Sequence, residues 1–177
     1  MTVEIRQADH RDIGALSRFA AKIFPLACPP GIARRDIEPF VQSTLSIECF
    51  ERYVADPTRT VLVASSGESI RAYAILVSSP PESGRITDAL QTVTPWELNK
   101  FFVARNERGS GLAGNLMAEV VRIACRAGAQ GIWLGVNRDN QRANRFYEKN
   151  GFGVVGSKEF TIGSRTLVGE IVRERRL

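Results

Sequence analysis

The chain has a single histidine, His10, among 177 residues. That argues against a histidine-ligated metal and against a Ser-His-Asp triad, and no metal is expected. Its three cysteines, Cys28, Cys49 and Cys125, are odd in number and far apart, with no Cys-x-x-Cys pair. They read as small buried apolar residues rather than disulfides or ligands. No apolar run approaches the roughly 20 residues of a membrane span. Met1-Thr-Val-Glu-Ile-Arg6 lacks the apolar core of a secretory signal, so a cytoplasmic protein is the expectation. There is no internal repeat, low-complexity tract or linker, which leaves one domain over residues 1–177.

Apolar residues make up 44% of the chain and charged residues 24%, ordinary values for a globular domain with a real core. The net charge of +5 invites a nucleic-acid reading. The basic residues are spread along the chain, however, apart from Arg173, Arg175 and Arg176, and a solvated basic face is expected there. Neither nucleic acid nor membrane is an expected partner.

Hydrophobic periodicity predicts a strand over 3–7 and a helix, capped by Asp9 or Asp12, that runs to about Phe24. Helical chain in two pieces, with Ser46 as a cap, lies between Ala33 and Ala55. Strands at 60–65 and 70–78 flank the turn Ser66-Gly67-Glu68, and a polar loop runs from Pro80 to Thr94. A strand at 97–104, a helix at about 110–127 and a short strand at 131–136 form a β-α-β crossover. The helix carries a stripe of Leu112, Leu116, Val120, Ala124 and Ala127. A helix over 140–150 and two strands, about 152–160 and 164–173, meeting at Gly163-Ser164, complete the chain. The fold class is α/β, a mixed and mostly antiparallel sheet layered with helices.

The most informative stretch is the strand Glu97-Leu-Asn-Lys-Phe-Phe-Val103 followed by Arg108-Gly-Ser-Gly111-Leu-Ala113, on which the next helix opens. Glycine there lets a ligand approach the backbone. The free N–H groups of a first helical turn, with the helix dipole, favour an anion such as a pyrophosphate. Arg105 and Arg108 add positive charge at the same edge. Gly109-Ser-Gly111-Leu-Ala-Gly114 also spells the dinucleotide fingerprint, with Asp139 as the ribose acid. Antiparallel strands before it, and too little chain after Asp139 for more β-α units, weigh against a Rossmann half. A Walker loop would need a Gly-Lys-Ser/Thr that is not there. A glycine-rich helix start without a ligand is the plain alternative. In a second constellation, Asn140, Ala143 and Tyr147 share one helix face at i, i+3 and i+7. Tyr147 there is either a core aromatic or a catalyst beside a residue small enough to admit a ligand.

Together these motifs resemble those of the N-acetyltransferase (GNAT) superfamily. Arg108-Gly-Ser-Gly111-Leu-Ala113 matches its phosphate motif, Gln/Arg-x-x-Gly-x-Gly/Ala, and the eight residues from Val103 to Gly111 match its spacing. Its later signature, Asn-x-x-Ala-x-x-x-Tyr followed closely by Gly-Phe, is matched by Asn140, Ala143, Tyr147 and Gly151-Phe152. The element order agrees as well, so the resemblance covers nearly the whole chain. It implies helices on both faces of the sheet and acetyl-coenzyme A as co-substrate between the parallel strands 97–104 and 131–136, which splay apart. The pantetheine would pair with the backbone of Phe101, Phe102 and Val103. The pyrophosphate would sit on Arg108, Gly109, Ser110, Gly111, Leu112 and Ala113, with Asn140 also at the cofactor.

The implied reaction is direct attack of a neutral amine on the thioester. An alkylamine is only about one part in a thousand neutral at pH 7, so a base helps. A backbone N–H of strand 97–104 can serve the developing oxyanion, and Tyr147 is a reasonable general acid for the departing thiolate. Many family members carry a glutamate where this chain has Gly135. Similarity to histone-type members makes Glu97 the candidate base, with a solvated carboxylate as the alternative. Ile132-Trp-Leu-Gly-Val136, Asn140, Phe146-Tyr147 and Gly151-Phe152 are most similar to bacterial spermidine/spermine acetyltransferases, as is the outline of Phe24, Pro29-Pro30 and Asp56-Pro57. The chain departs from that group at Gly31, where an acidic residue is common, and at Ala72, where glycine is usual. Asp36, Glu38, Glu48 and Glu51 are either pocket carboxylates or the wet faces of helices. The expected partner is a small-molecule amine, polyamines included, and a homodimer is left open. The alternatives are a protein or peptide N-acetyltransferase and an acyl-CoA-binding protein without turnover.

Overall fold

A computed structural model describes residues 3–28, 32–81, 84–162 and 165–177, the side chains of 159–169 excepted. The Pro29-Pro30-Gly31 segment and the Gly163-Ser164 turn lie outside those residues. Strand β1 (Glu4–Gln7) leads to α1 (Ile13–Ile23) through a capping box: the Asp9 carboxylate accepts from the Arg11 N–H, and Asp12 accepts from the Asp9 N–H. Ile13, Leu16, Ala20 and Ile23 form the buried stripe of α1. Helices α2 (Arg34–Leu45) and α3 (Ile47–Ala55) are divided at Ser46, whose hydroxyl accepts from the Cys49 N–H.

The hairpin of β2 (Arg59–Ser66) and β3 (Ser69–Val77) turns on Gly67 at φ +58°. Between Pro80 and Thr94, expected as loop throughout, a short helix α4 (Gly84–Ala89) forms. It buries no residue and therefore has no apolar period by which to be read. Then come β4 (Pro95–Val103), α5 (Leu112–Arg126), β5 (Gly131–Asn137), α6 (Gln141–Lys149), β6 (Gly153–Ile162) and β7 (Arg165–Arg176). The seven strands run in the order β1-β2-β3-β4-β5-β7-β6, and every neighbouring pair is antiparallel except β4–β5.

Helices cover both faces. On one, α5 and α6 pack Leu116, Val120 and Tyr147, with Phe152 just after α6, against Leu62, Ala74, Leu98, Ile132 and Leu134. On the other, α1, α2 and α3 pack Leu16, Leu45 and Phe50 against Val61, Val63, Tyr73 and Ile75. Among the described residues, no helix is long and apolar enough to cross a membrane.

The sheet is irregular beside its parallel pair. In the β3–β4 register Ile75 faces Lys100 and Leu76 faces Leu98, so Asn99 is an extra residue on β4. Such a bulge bends its strand and raises the local twist.

Three expectations are corrected. Ala127 is exposed at the C-cap of α5, beyond the buried stripe. Only Cys49 of the cysteines is fully buried; Cys28 is half-buried and Cys125 exposed. Arg173 is no part of a solvated basic face. It is 3% exposed, because its position on β7 turns it under α6, where it donates to Asn144 Oδ1 (3.0 Å), the Phe152 carbonyl (3.0 Å) and Glu148 Oε1 (2.7 Å). It thereby ties the helix that carries Tyr147 to the sheet. Arg173→Met leaves a buried amide oxygen and a carbonyl without donors, so stability should fall by about 2 kcal/mol. The readout is a lower urea midpoint at unchanged slope; an unchanged midpoint contradicts the anchoring role.

Candidate active site

The parallel pairing of β4 and β5 covers Pro95↔Gly131, Trp96↔Ile132 and Glu97↔Trp133, and then stops. Asn99, the bulged residue, follows at once, and the two strands part. The Ala104 N–H donates to the Arg71 carbonyl at 2.8 Å. Antiparallel alternation therefore aims the Phe102 and Ala104 N–H groups at β3 and those of Phe101 and Val103 into the gap. The gap is a cleft of about 810 Å³. Arg105, Arg108, Gly109, Gly111 and Arg142 line one end, and Phe101, Val103, Ala143 and Tyr147 the middle. Ile23, Phe24, Cys28, Lys100, Gly135 and Glu170 line the other.

The first end is built for an anion. Gly109 and Gly111 hold φ of +83° and +86°, left-handed values that other residues adopt only with strain. Gly111 is the N-cap of α5, so the first helical turn faces the cleft. The N–H groups of Ala113 and Gly114 find no acceptor among the described residues. Three arginines converge there. Loss of water contact, then the like charges of Arg142 and Arg105, hold the Arg108 guanidinium below its ordinary pKa. Unengaged amides, a helix dipole and clustered arginine charge fit the pyrophosphate of coenzyme A. Ser110 and Leu112 do not line the cleft. The Ser110 hydroxyl donates to the Glu107 carbonyl (2.8 Å) and accepts from the Leu112 N–H (3.2 Å), and the Leu112 side chain is buried in the core. Asn140 lines the cleft, but its Oδ1 is engaged by the Ala143 N–H as the cap of α6.

In the middle, Phe101 and Phe102 part to opposite faces of the sheet. Phe101 stacks on Phe146 and Phe102 on Tyr73, each with ring centroids 5.5 Å apart. Tyr147 sits among the rings of Phe101, Phe146 and Phe152 and is 9% exposed. Burial pushes its phenol pKa up, so the group is protonated at neutral pH. No hydrogen bond to a described residue ties up its hydroxyl.

At the far end Lys100 is pushed down to about 8, by loss of water first and against the opposing charge of Glu97. Its ammonium donates to Asn99 Oδ1 at 2.8 Å. Glu97 itself is half-buried, accepts from Asn99 Nδ2 at 3.1 Å, and is not among the residues lining the cleft. Asp36, Glu38, Glu48 and Glu51 do not line it either, and Glu38 is engaged by Arg34 at 2.9 Å. Lys100, Arg142 and Glu170 were not singled out from sequence. Arg142 could have been, from its place in the first turn of the helix that begins at Asn140. Glu170 carries no local signal, since its position depends on the β5–β7 register.

Comparison with known proteins shows the family and the fold. The model of the acetyltransferase (GNAT) family matches residues 26–152. The uncharacterized N-acetyltransferases Rv2669 of Mycobacterium tuberculosis and Mb2688 of Mycobacterium bovis are each 39% identical over 153 residues, 86% of this chain and 90% of theirs. Among solved structures, the fold is similar to that of the PaiA N-acetyltransferase of Thermoplasma acidophilum, determined in complex with coenzyme A. The TM-score is 0.78 at 20% identity, covering 100% of both chains. It is also similar to that of Arabidopsis thaliana NAA60 in complex with a bisubstrate analogue, with a TM-score of 0.76 at 18% identity over 99% of this chain and 98% of that one.

Gly111→Asp would force a side chain into left-handed backbone and set a carboxylate against the anion site. Acetyl-coenzyme A affinity, measured by calorimetry, should fall at least about tenfold, the equivalent of 1.4 kcal/mol. Parental affinity in a folded variant would remove the site from residues 108–113.

Proposed function

The chain belongs to the acetyltransferase (GNAT) family, and we propose that it transfers the acetyl group of acetyl-coenzyme A to the nitrogen of a small primary amine. One observation carries this reading: the unpaired backbone of β4 and the Tyr147 phenol meet midway between an anion-binding end and an end that holds a carboxylate. Acetyl-coenzyme A, when bound, supplies the activated thioester carbonyl. The cleft-facing N–H groups of Phe101 and Val103 are placed to hold the pantetheine in extended form, and one of them to donate to the carbonyl oxygen as negative charge grows on it. The Tyr147 hydroxyl, protonated because it is buried, is the donor for the leaving thiolate. Direct transfer brings both reactants together in one cleft, so orientation supplies a large part of the acceleration.

The acceptor end favours an amine with one positive charge. A polycation needs several carboxylates around it. Glu170 supplies one, Lys100 opposes it with positive charge, and the acidic residues of α2 and α3 lie outside the cleft. Apolar walls from Ile23, Phe24 and Leu26 suit an alkyl or aromatic body. On these grounds a monoamine is preferred to spermidine or spermine. A thiol-release assay over monoamines, polyamines, amino acids and peptides with free N-termini tests this. Turnover should be highest with monoamines; preference for polyamines or peptides, or no turnover, would each replace the reading.

Tyr147→Phe removes only the hydroxyl. It should leave acetyl-coenzyme A affinity unchanged and lower kcat by roughly 10²–10⁴. An unchanged kcat, with chemistry shown to limit the rate, would return Tyr147 to the core.

A further inference from the structure

Gly135 lies on the sheet face that carries α1, α2 and α3, in the strand that parts from β4. A Cβ placed on it would collide with Lys158 Cε and come within 2.7 Å of Glu170 Oε2 and 2.8 Å of Lys158 Nζ. The space of a side chain at 135 is therefore filled from two other strands. Lys158 on β6 and Glu170 on β7 are cross-strand neighbours, and Glu170 is also paired with Asn137 on β5, two residues beyond Gly135. Their charged ends are 3.3 Å apart, and the Lys158 ammonium lies 5.6 Å from the centre of the Trp133 ring. Glu170 Oε2, the oxygen that faces the Lys158 ammonium at 3.3 Å, is buried and accepts no hydrogen bond from the described residues. A buried carboxylate oxygen held by an ion pair but by no hydrogen bond keeps acceptor capacity to spare, and this one belongs to a residue that lines the cleft.

We propose that Glu170 is the proton acceptor for the amine substrate, its carboxylate reaching over Gly135 from β7 into the acceptor end of the cleft. The proposal rests on the acetyl-transfer reading above. The acceptor enters as an ammonium ion and donates a hydrogen bond to Glu170 Oε2, beside the Lys158 ammonium that is ion-paired with the same oxygen. One proton passes from the ammonium nitrogen to the Glu170 carboxylate, which frees the nitrogen lone pair. That pair forms the C–N bond to the acetyl carbon while the C–S bond breaks, and the sulfur leaves with the bonding electrons and takes the proton of the Tyr147 hydroxyl. The nitrogen's second proton restores Tyr147, and Glu170 releases its own proton to solvent. Lys158 is a positioning residue: its stem fills the space beside Gly135 and its charge holds the carboxylate in place. Of the other titratable groups, Lys100 on β4 and Cys28 after α1 line this end of the cleft, and Lys100 also feels the charge of Lys158.

The test compares parent, Glu170→Gln, Gly135→Ala and Glu97→Gln in thiol release from acetyl-coenzyme A across pH 6.5 to 10, with the most active primary amine of the panel, alongside calorimetry with acetyl-coenzyme A. Glu170→Gln keeps the side-chain size. It should bind acetyl-coenzyme A like the parent and lose about 10²-fold in kcat/KM at pH 7. The deficit should close toward pH 10, where the amine is neutral without help. Gly135→Ala, whose Cβ displaces both charged ends, should show the same pH-dependent loss. A parental profile in Glu170→Gln, a loss that does not recover with pH, or a recovering loss found in Glu97→Gln alone would each overturn the role of Glu170. A parent that binds acetyl-coenzyme A yet acetylates no amine would defeat the acetyl-transfer reading itself.

Discussion

The site depends on one break in backbone pairing. A parallel pair at the centre of a sheet normally satisfies its N–H and C=O groups along its whole length. Here β4 and β5 pair over three positions and then separate, with the extra residue Asn99 at the point of departure. The separation exposes the edge of β4 inside the protein rather than at its rim. Unpaired strand edges are otherwise covered or blunted, and this one is left open onto the cleft. The rest of the sheet serves to hold the gap. On one side β2 and β3 are buried on both faces, and on the other β7 pairs with β5 over the full length of β5.

The bulge also decides which way side chains point. Leu98 packs on the α5–α6 face, as does Phe101, whereas Phe102 lies on the opposite face against Tyr73. Without the extra residue Lys100 would share the face of Leu98 and enter an apolar core. With it, Lys100 reaches the cleft that Glu170 also lines, and Phe101 lies beside Tyr147. One inserted residue thus opens the cleft and sorts the charged and aromatic groups around it. Charge is divided along the cleft: arginines and unengaged amides line one end, and Glu170, with Lys100 and its ion-pair partner Lys158, marks the other.

Much of this was legible in the sequence wherever a local pattern carried it. The amphipathic stripes of α1 and α5, the Ser46 cap, the Gly67 hairpin and the crossover from β4 through α5 to β5 stand where periodicity and turn chemistry place them. The glycine-bearing start of α5 and the helix face with Ala143 and Tyr147 were readable because their spacing repeats within one element. Helix α4 was not, since six residues without a buried face leave no period. Arg173 was misread because charge predicts exposure on average, and only the packing of α6 on β7 provides the acceptors that permit its burial.

What the sequence by itself determined is therefore the set of local elements, the family motif and the chemistry available to it, because each is set by residues within a few positions of one another. The tertiary structure alone decided which of those residues share a space. Whether Glu97 or Glu170 reaches the cleft cannot be read from either neighbourhood. Glu97 lies in the strand that carries the motif, yet it is turned aside before the cleft opens. Glu170 lies 35 residues beyond Gly135, and the β5–β7 register brings it back across that glycine. Strand register is a non-local quantity, and a shift of one residue exchanges every side chain between the faces.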